Sequence, residues 1–463
     1  MEKIKALTDV GNAERFIGQH KNFLRYCPQL NKWFYWTGIR WEIDTAGQIF
    51  QKAKETAKAI ETEISKTKEQ KLRNKIIEHC RRSQSWPRIK AMIKLTESNP
   101  EMQVDLSTLD FDPMWLNCTN GTVNLKTGAL LAHSKDHYIT KSTKTVYNKE
   151  AKCPRWLSFL DKIMGSNESL INYLRLIVGY ALTGLTKEQC LFIFNGFGAN
   201  GKSTFFEIIR KVMGDYAMHT PPTTLLKNNS GIRNDLARLK GARFVSAVET
   251  GIGNKLNEPL AKELTGGDLI TSRFLFREYF EQSPTFKLFI ATNCKPEIQG
   301  TDHGIWRRIR LIPFDVVLKD EEIDRDLPKK LEAELPGILN WAVQGCLDWQ
   351  KNGLVMPDAV KTATTEYRED SDVISKFIDD CCDKNLKNKI SIKNLYDAFK
   401  KWAEENADEI MTKKTFGHML KQRGLKQVKS DGIRSWTGIG LKDTTTSSAD
   451  SKKSQPEDSA VMH

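Results

Sequence analysis

The sequence predicts an α/β nucleotide-binding core, with an α+β domain before it and a small helical domain with a β-wing after it. Three observations carry that reading. Gly196–Ser203 fits the pattern G-x-x-x-x-G-K-[ST], with a compact apolar run before it and a helical pattern after it. From there to Phe314, short β-rich apolar runs alternate with helical segments. The flanking regions have turn-rich or helical patterns of their own.

The chain has 463 residues, too many for one hydrophobic core. Its boundaries read as an α+β accessory domain over 1–150, a helical lead-in over 151–187, the core over 188–355, a winged-helix-like domain over 372–440 and a disordered tail over 443–463. Mean hydropathy is -0.49, and runs such as Leu191–Phe194 are far short of a membrane span. No signal-peptide core is present at the N-terminus, and the nine cysteines form no C-x-x-C pair. Together these suggest reduced thiols in the cytoplasm of a bacterial or other host cell. The net charge of +13 favours a polyanionic partner, nucleic acid before membrane.

In the accessory region, Asn31–Asp44 suits a β-hairpin with Trp33, Tyr35 and Trp41 on one face. Gln51–Trp86 is polar and lacks Gly and Pro, so it reads as helical until Pro87 interrupts it. Asn117–His133 carries turn signals at Asn120-Gly121 and Thr127-Gly128 and reads as a short hairpin. Residues 154–187 are helical and end near Gly184.

The core strands follow. Gln189–Phe194 leads into the glycine-rich loop Gly196, Phe197, Gly198, Ala199, Asn200 and Gly201, whose backbone N–H groups can turn onto phosphate oxygens. Lys202 supplies a charge for β/γ phosphates and Ser203 a hydroxyl for Mg²⁺; the helix from Thr204 adds its positive dipole end. A second strand, Arg243–Glu249, ends in an acid that suits a water-mediated Mg²⁺ ligand, a base for the attacking water, or both. A third, Phe286–Thr292, ends at Asn293, which suits either a γ-phosphate sensor or a turn residue. Arg307 and Arg308 precede the apolar run Leu311–Phe314; an arginine finger, a DNA contact and a solvated cluster all fit them. Between the second and third strands, Ile270–Phe276 reads as one arm of a hairpin with Arg277 near its tip. Lys262, Arg273, Arg277 and Lys287 make this region basic, which suits a DNA grip or a solvated face. Glu321–Asn352 is helical with breaks at Pro328 and Pro336.

Toward the C-terminus, helical patterns cover Val373–Asp383, Ile392–Glu405 and Lys413–Arg423, and Leu425–Thr437 alternates around Asp431-Gly432. That is a winged helix-turn-helix pattern. Lys413, Lys414 and His418 fall on its third helix, and Lys426, Lys429 and Arg434 on its wing. DNA contact and protein docking both suit it.

Five phrases in order, NGFGANGKSTF, NDLARLKGARFVSAVE, KELTGGDLITSR, TFKLFIATNCKP and DHGIWRRIRLIPF, resemble the phage/plasmid primase-helicase family within the superfamily 3 DNA helicases. That family includes poxvirus-type and satellite-phage replication proteins. LNCTNGTVNLKTG and CPRWLSFL extend the resemblance upstream more loosely. The resemblance implies an AAA+-like ATPase working as a homo-oligomeric ring, a hexamer, with ATP and Mg²⁺ between subunits. It makes Lys202 and Ser203 the first motif, Glu249 the second, Asn293 the sensor, and Arg307 or Arg308 the finger. It places Lys262, Arg273 and the hairpin beside a central channel for single-stranded DNA. It further implies 3′ to 5′ translocation at forked DNA, with a primase and other replication proteins as partners. Two departures stand out. Thr250-Gly251 follow Glu249 where many members carry further acids, and the residues before the core show no paired-carboxylate polymerase motif. Priming by this chain is therefore not expected. An ATP-switched replication initiator is the second reading; a small-molecule kinase would leave the basic hairpin unused.

Overall fold

The computed structural model describes residues 4–227, 234–248, 253–273, 279–300, 302–385, 387–406, 410–430 and 432–442. The chain divides into two compact units, residues 1–296 with 307–363, and residues 297–306 with 364–463.

From residue 188 onward, the described residues of the first unit form the strands β1 (Leu191–Asn195), β2 (Ala217–His219), β3 (Phe244–Val248), β4 (Ile270–Arg273), β5 (Tyr279–Gln282), β6 (Lys287–Thr292) and β7 (Ile309–Pro313). Five of them form a parallel sheet in the order β7-β1-β6-β3-β2. Parallel strands are covered on both faces, so they read as near-continuous apolar runs. LFIFN in β1 and KLFIAT in β6 do so, and every residue of β6 is buried. β4 and β5 form a separate antiparallel hairpin. Its tip, residues 274–278 with Arg277, lies outside the described residues, as do Glu249, Thr250 and Gly251 and the tail expected over 443–463.

Helices α1 (Pro154–Ile163), α2 (Glu168–Leu182), α3 (Lys202–Met213), α4 (Glu258–Gly266), α5 (Leu327–Glu332) and α6 (Leu335–Asn352) belong to the same unit. Trp156 of α1, Phe205 and Phe206 of α3, Phe194 and Phe289 share one core. α2 and α6 touch backbone to backbone. A Cβ on Gly179 would lie 2.2 Å from the Cys346 nitrogen, and one on Gly345 would lie 2.2 Å from the Arg175 oxygen. Pro328 and Pro336 sit in the first turns of α5 and α6, where a missing N–H costs nothing.

Upstream, the structure corrects two expectations. The tryptophan-rich hairpin joins Leu24–Cys27 in a three-stranded sheet, and Trp41 pairs directly with Trp36. Side chains alternate along a strand, so Trp41 shares a face with Trp36 and Phe34, not with Trp33 and Tyr35. The sheet is buried on both faces, with Trp33 in one cluster and Phe34 and Trp41 in another. Pro87 does not end a helix; it opens one, Trp86–Thr96, from the first turn. The stretch before it is not continuous: helices Gln48–Ala59 and Gln70–Ser83 flank a 3₁₀ segment, Ile60–Lys66. The 117–133 region is a three-stranded meander, Trp115–Cys118, Gly121–Asn124 and Ala129–Leu131.

In the second unit, α7 (Val373–Cys381), α8 (Ile392–Glu405) and α9 (Lys413–Gln422) pack around Phe377, Phe399, Phe416 and Trp436. Strands β8 (Lys389–Ser391), β9 (Lys426–Ser430) and β10 (Ile433–Thr437) form an antiparallel sheet in the order β8-β10-β9. The strand β8 and a preceding helix, Asp358–Asp370, were not anticipated from the sequence.

All nine cysteines are free thiols. Among the described residues no helix is long and apolar enough to cross a membrane, and no group of three or more His, Cys, Asp and Glu has metal-site geometry.

Candidate functional site

The loop between β1 and α3 is shaped by its glycines. A Cβ on Gly196 would lie 2.2 Å from the Phe314 carbonyl oxygen, so no side chain fits there. Gly201 caps α3 in the left-handed region at φ +79°, where glycine is least strained. Around Gly198 there is open space. The Asn200 amide donates to the Phe314 carbonyl at 3.3 Å and to that of Phe197, which fixes the loop against the end of β7. Phe197 is exposed at the tip.

Lys202 is buried, and burial depresses its ammonium below the usual lysine range. The ammonium donates to the Gly196 carbonyl and, at 3.3 Å, to Asn293 Oδ1. Both partners are neutral, so among the described residues a buried cation beside a glycine-lined loop stands without a carboxylate. An anion such as a phosphate fits that arrangement. Asn293 is in turn aligned with β1, whose Asn195 amide donates to the Asn293 carbonyl at 3.3 Å. Ser203 is exposed in the first turn of α3, beside Thr204, and both line the same cavity.

That cavity is open and measures about 1000 Å³. Gly198–Thr204, Val248 and Asn293 form one wall. Val248 immediately precedes Glu249 in the chain. The opposite wall went unseen in the sequence. It comes from α1, through Arg155, Ser158 and Lys162, and from the segment 318–330. Leu318 donates its N–H to the Ala199 carbonyl at 2.8 Å, which straps that segment to the glycine-rich loop. Lys162 pairs with Glu322 at 3.6 Å and Lys330 with Asp324 at 2.6 Å. Arg155 and Arg210 also line the cavity. The only sequence signal for this wall was the phrase CPRWLSFL.

Arg307 and Arg308 separate cleanly. Arg308 is buried, and its Nε donates to Thr265 Oγ1 at 3.1 Å. Arg307 is exposed, and its guanidinium donates to Gln189 Oε1 at 2.7 Å. Gln189 Nε2 meanwhile donates to the Gly266 carbonyl at 3.0 Å, so it holds Arg307 beside the end of α4. In register, Ile309 pairs with Leu191, the start of β1, whereas the glycine-rich loop leaves from its end at Asn195. Arg307 thus lies about a strand's length, roughly 15 Å, from the cavity of its own chain.

Among the expected DNA-contacting residues, Lys287 is corrected. Its ammonium is buried and donates to the carbonyls of Thr183, Leu185 and Thr285. Burial pushes it well below the usual lysine range, and Arg243 nearby adds to that shift. It ties β6 to the C-terminal end of α2, where free carbonyls attract a cation, and no DNA backbone reaches it. Arg243, also buried, donates to the Leu182 carbonyl at 2.5 Å and the Trp115 carbonyl at 2.7 Å. Lys287→Ala should leave three carbonyls without that donor and cost about 3 kcal/mol of stability; urea unfolding of the two proteins measures it. Lys262 is half-buried on α4, Arg273 ends β4, and Arg277 lies outside the described residues. In the second unit, Lys413 and Lys414 are exposed at the start of α9, with the Lys413 ammonium 6.0 Å from the Tyr396 ring centre. Lys426, Lys429 and Arg434 are exposed on β9 and β10, and Lys429 pairs with Arg434 in register.

Residues 13–165 match the family model described as D5 N terminal like, and residues 369–437 match Poxvirus D5 protein-like. Three curated viral relatives carry provisional names. The mimivirus protein L207/L206 of Acanthamoeba polyphaga mimivirus, provisionally named a helicase, is 29% identical over 65% of this chain and 34% of its own length. Protein 022R of Frog virus 3, provisionally named a helicase, is 26% identical over 51% of this chain and 27% of its own. Protein C962R of African swine fever virus, provisionally named a primase, is 26% identical over 48% of this chain and 24% of its own. The chain therefore spans about a third or less of the length of these relatives. Among solved structures, the apo C-terminal region of NrS-1 has a similar fold, with a TM-score of 0.53 at 13% identity, covering 95% of this chain and 100% of that one. The two D5-type matches and the viral relatives together support a resemblance of this chain to the primase-helicase family.

Proposed function

We propose that the chain is an ATP-dependent DNA helicase of a phage, prophage or related mobile element, acting in replication as a homo-oligomeric ring. The observation that carries this reading is the buried Lys202 ammonium, held among the described residues by a carbonyl and an amide at a glycine-lined loop, beside a cavity large enough for a nucleoside triphosphate. The sheet order β7-β1-β6-β3-β2, with the loop after β1, the second strand in that order, is that expected of an AAA+-like P-loop ATPase. The names of the viral relatives support the helicase assignment.

In this reading Lys202 binds the β/γ phosphates and the loop amides of Gly198–Gly201 cradle them. Ser203, and Glu249 through water, would hold Mg²⁺, which neutralises phosphate charge when bound. Asn293, fixed by its contact with Lys202, is placed to orient the attacking water or sense the γ-phosphate. Hydrolysis is then promoted by positioning and electrostatics rather than covalent chemistry. Arg307, exposed and far from its own cavity, supplies the finger for the neighbouring subunit's ATP, whereas buried Arg308 holds the end of α4. Lys262, Arg273 and Arg277 around the β4–β5 hairpin line the DNA channel. The second unit, with its order α7-β8-α8-α9-β9-β10, is a winged helix whose Lys413 and Lys414 and basic wing suit DNA or a separate primase. Translocation runs 3′ to 5′.

The test is ATP hydrolysis with Mg²⁺, with and without single-stranded DNA. The helicase reading expects hydrolysis that rises with DNA. Hydrolysis indifferent to every DNA tested contradicts it, and slow DNA-stimulated turnover without strand separation favours the initiator.

A further inference from the structure

Away from the nucleotide cavity, residues 48–97 hold thirteen lysines and arginines against six acids, a surplus of seven in a chain whose whole net charge is +13. Two helices of this segment, Gln48–Ala59 and Trp86–Thr96, pack against each other in the accessory region. Each repeats the same spacing, an aromatic residue followed by lysines at i+4 and i+8: Phe50, Lys54, Lys58 and Trp86, Lys90, Lys94. Residues four apart share one helix face, so each helix presents an aromatic-then-basic stripe. The two aromatic ends meet, with the Phe50 and Trp86 rings stacked at 5.3 Å and 16°. The Lys90 ammonium stands 4.7 Å from the Trp86 ring centre.

Trp86 is 57% exposed, and it is the one exposed tryptophan of the chain's eleven. A tryptophan kept in water on a folded surface gives up burial that it could have had. Lys94 is paired with Glu97 at 2.6 Å, but no ion pair holds Lys54, Lys58 or Lys90 among the described residues. An aromatic platform edged by unpaired lysines is the surface on which a base stacks while its phosphates are neutralised.

We infer that the Phe50–Trp86 platform with Lys54, Lys58 and Lys90 is a second binding site for single-stranded DNA, outside the ATPase core. A base packs against the exposed part of the Trp86 indole, and the backbone follows the two lysine stripes. The choice of DNA as the polymer rests on the proposed function; the stacking surface and its charge do not. In a working ring such a site would hold the strand on the accessory-domain side of the core, independently of the nucleotide state.

The experiment uses the full chain without nucleotide and follows a fluorescein-labelled dT20 oligonucleotide by anisotropy across a salt series. Trp86→Ala should weaken binding about tenfold, the loss expected for one stacked base. Trp86→Phe should recover most of it, which a merely structural role of the indole would not. Lys54→Glu, Lys58→Glu and Lys90→Glu together should lower the slope of log affinity against log salt by about 2, as three phosphate contacts to a single strand require. Basal ATP hydrolysis without DNA should be unchanged in all of them, and Lys202→Ala should keep this binding intact. Affinity and salt slope within twofold of the parent for both Trp86→Ala and the triple variant would overturn the inference and leave the face to a protein partner. ATP hydrolysis that ignores DNA would contradict the helicase reading and leave this site standing.

Discussion

Lys202→Ala is expected to lower the turnover of ATP hydrolysis at least a hundredfold without unfolding the protein. The Lys202 ammonium is the only cation in contact with the glycine-rich loop carbonyl at Gly196 and with Asn293 among the described hydrogen bonds. Removing it takes away the charge that meets the β/γ phosphates, and loss of one donor aimed at developing charge in a dry site costs about 10²–10³ in rate. It also frees the Asn293 side chain, which in the proposed mechanism orients the attacking water or senses the γ-phosphate. The stability cost is small because an underpaired buried cation is itself unfavourable. Steady-state hydrolysis beside a thermal melt measures both. An unfolded variant, or one hydrolysing within tenfold of the parent, would remove Lys202 from the centre of the site.

The second large effect belongs to Arg307. Arg307→Ala should lower hydrolysis by about 10³-fold, the lower end of what an arginine finger contributes in GTPases. The distinctive result comes from mixing. Arg307→Ala and Lys202→Ala subunits, each inactive alone, should regain hydrolysis together, because the Lys202→Ala subunit offers its intact finger to the intact cradle of its neighbour. Arg308→Ala should behave differently. Its guanidinium is buried against Thr265 in its own chain, so its loss should appear as a lower melting temperature. Mixtures no more active than their parts would place Arg307 outside the reaction.

The parallel core was legible because its strands are short, apolar and buried on both faces, and because the glycine-rich loop marks where β1 ends. Edges shifted by one or two residues: Gln189–Phe194 became Leu191–Asn195, and Leu311–Phe314 became Ile309–Pro313. The accessory sheet was half legible. Alternation put Trp33 and Tyr35 together, but Trp41 depends on the register of the turn, and the register pairs it with Trp36. Pro87 was misread because proline ends a helix only from within; in the first turn it starts one.

In the site, the glycine-rich loop and Lys202 were visible because that motif is local in sequence. The far wall was not, because α1 and the segment 318–330 approach the loop only after the chain has folded. Lys287 misled for a related reason. A lysine at the start of an apolar strand looks like surface charge, but here it satisfies carbonyls at the end of α2 more than a hundred residues earlier. Only the tertiary structure distinguishes a basic surface from a buried staple. Val248, the residue before Glu249 in the sequence, lines the cavity, whereas Glu249 itself lies outside the described residues.

The central claim is that ATP turnover at Lys202 drives separation of DNA strands. The most direct measurement is displacement of a labelled strand from a forked duplex with ATP and Mg²⁺, comparing the parent chain with Lys202→Ala. The account predicts strand separation that depends on ATP and on a single-stranded arm, and that disappears in Lys202→Ala. Separation unaffected by Lys202→Ala, or none by the parent while ATP is being hydrolysed, would contradict it.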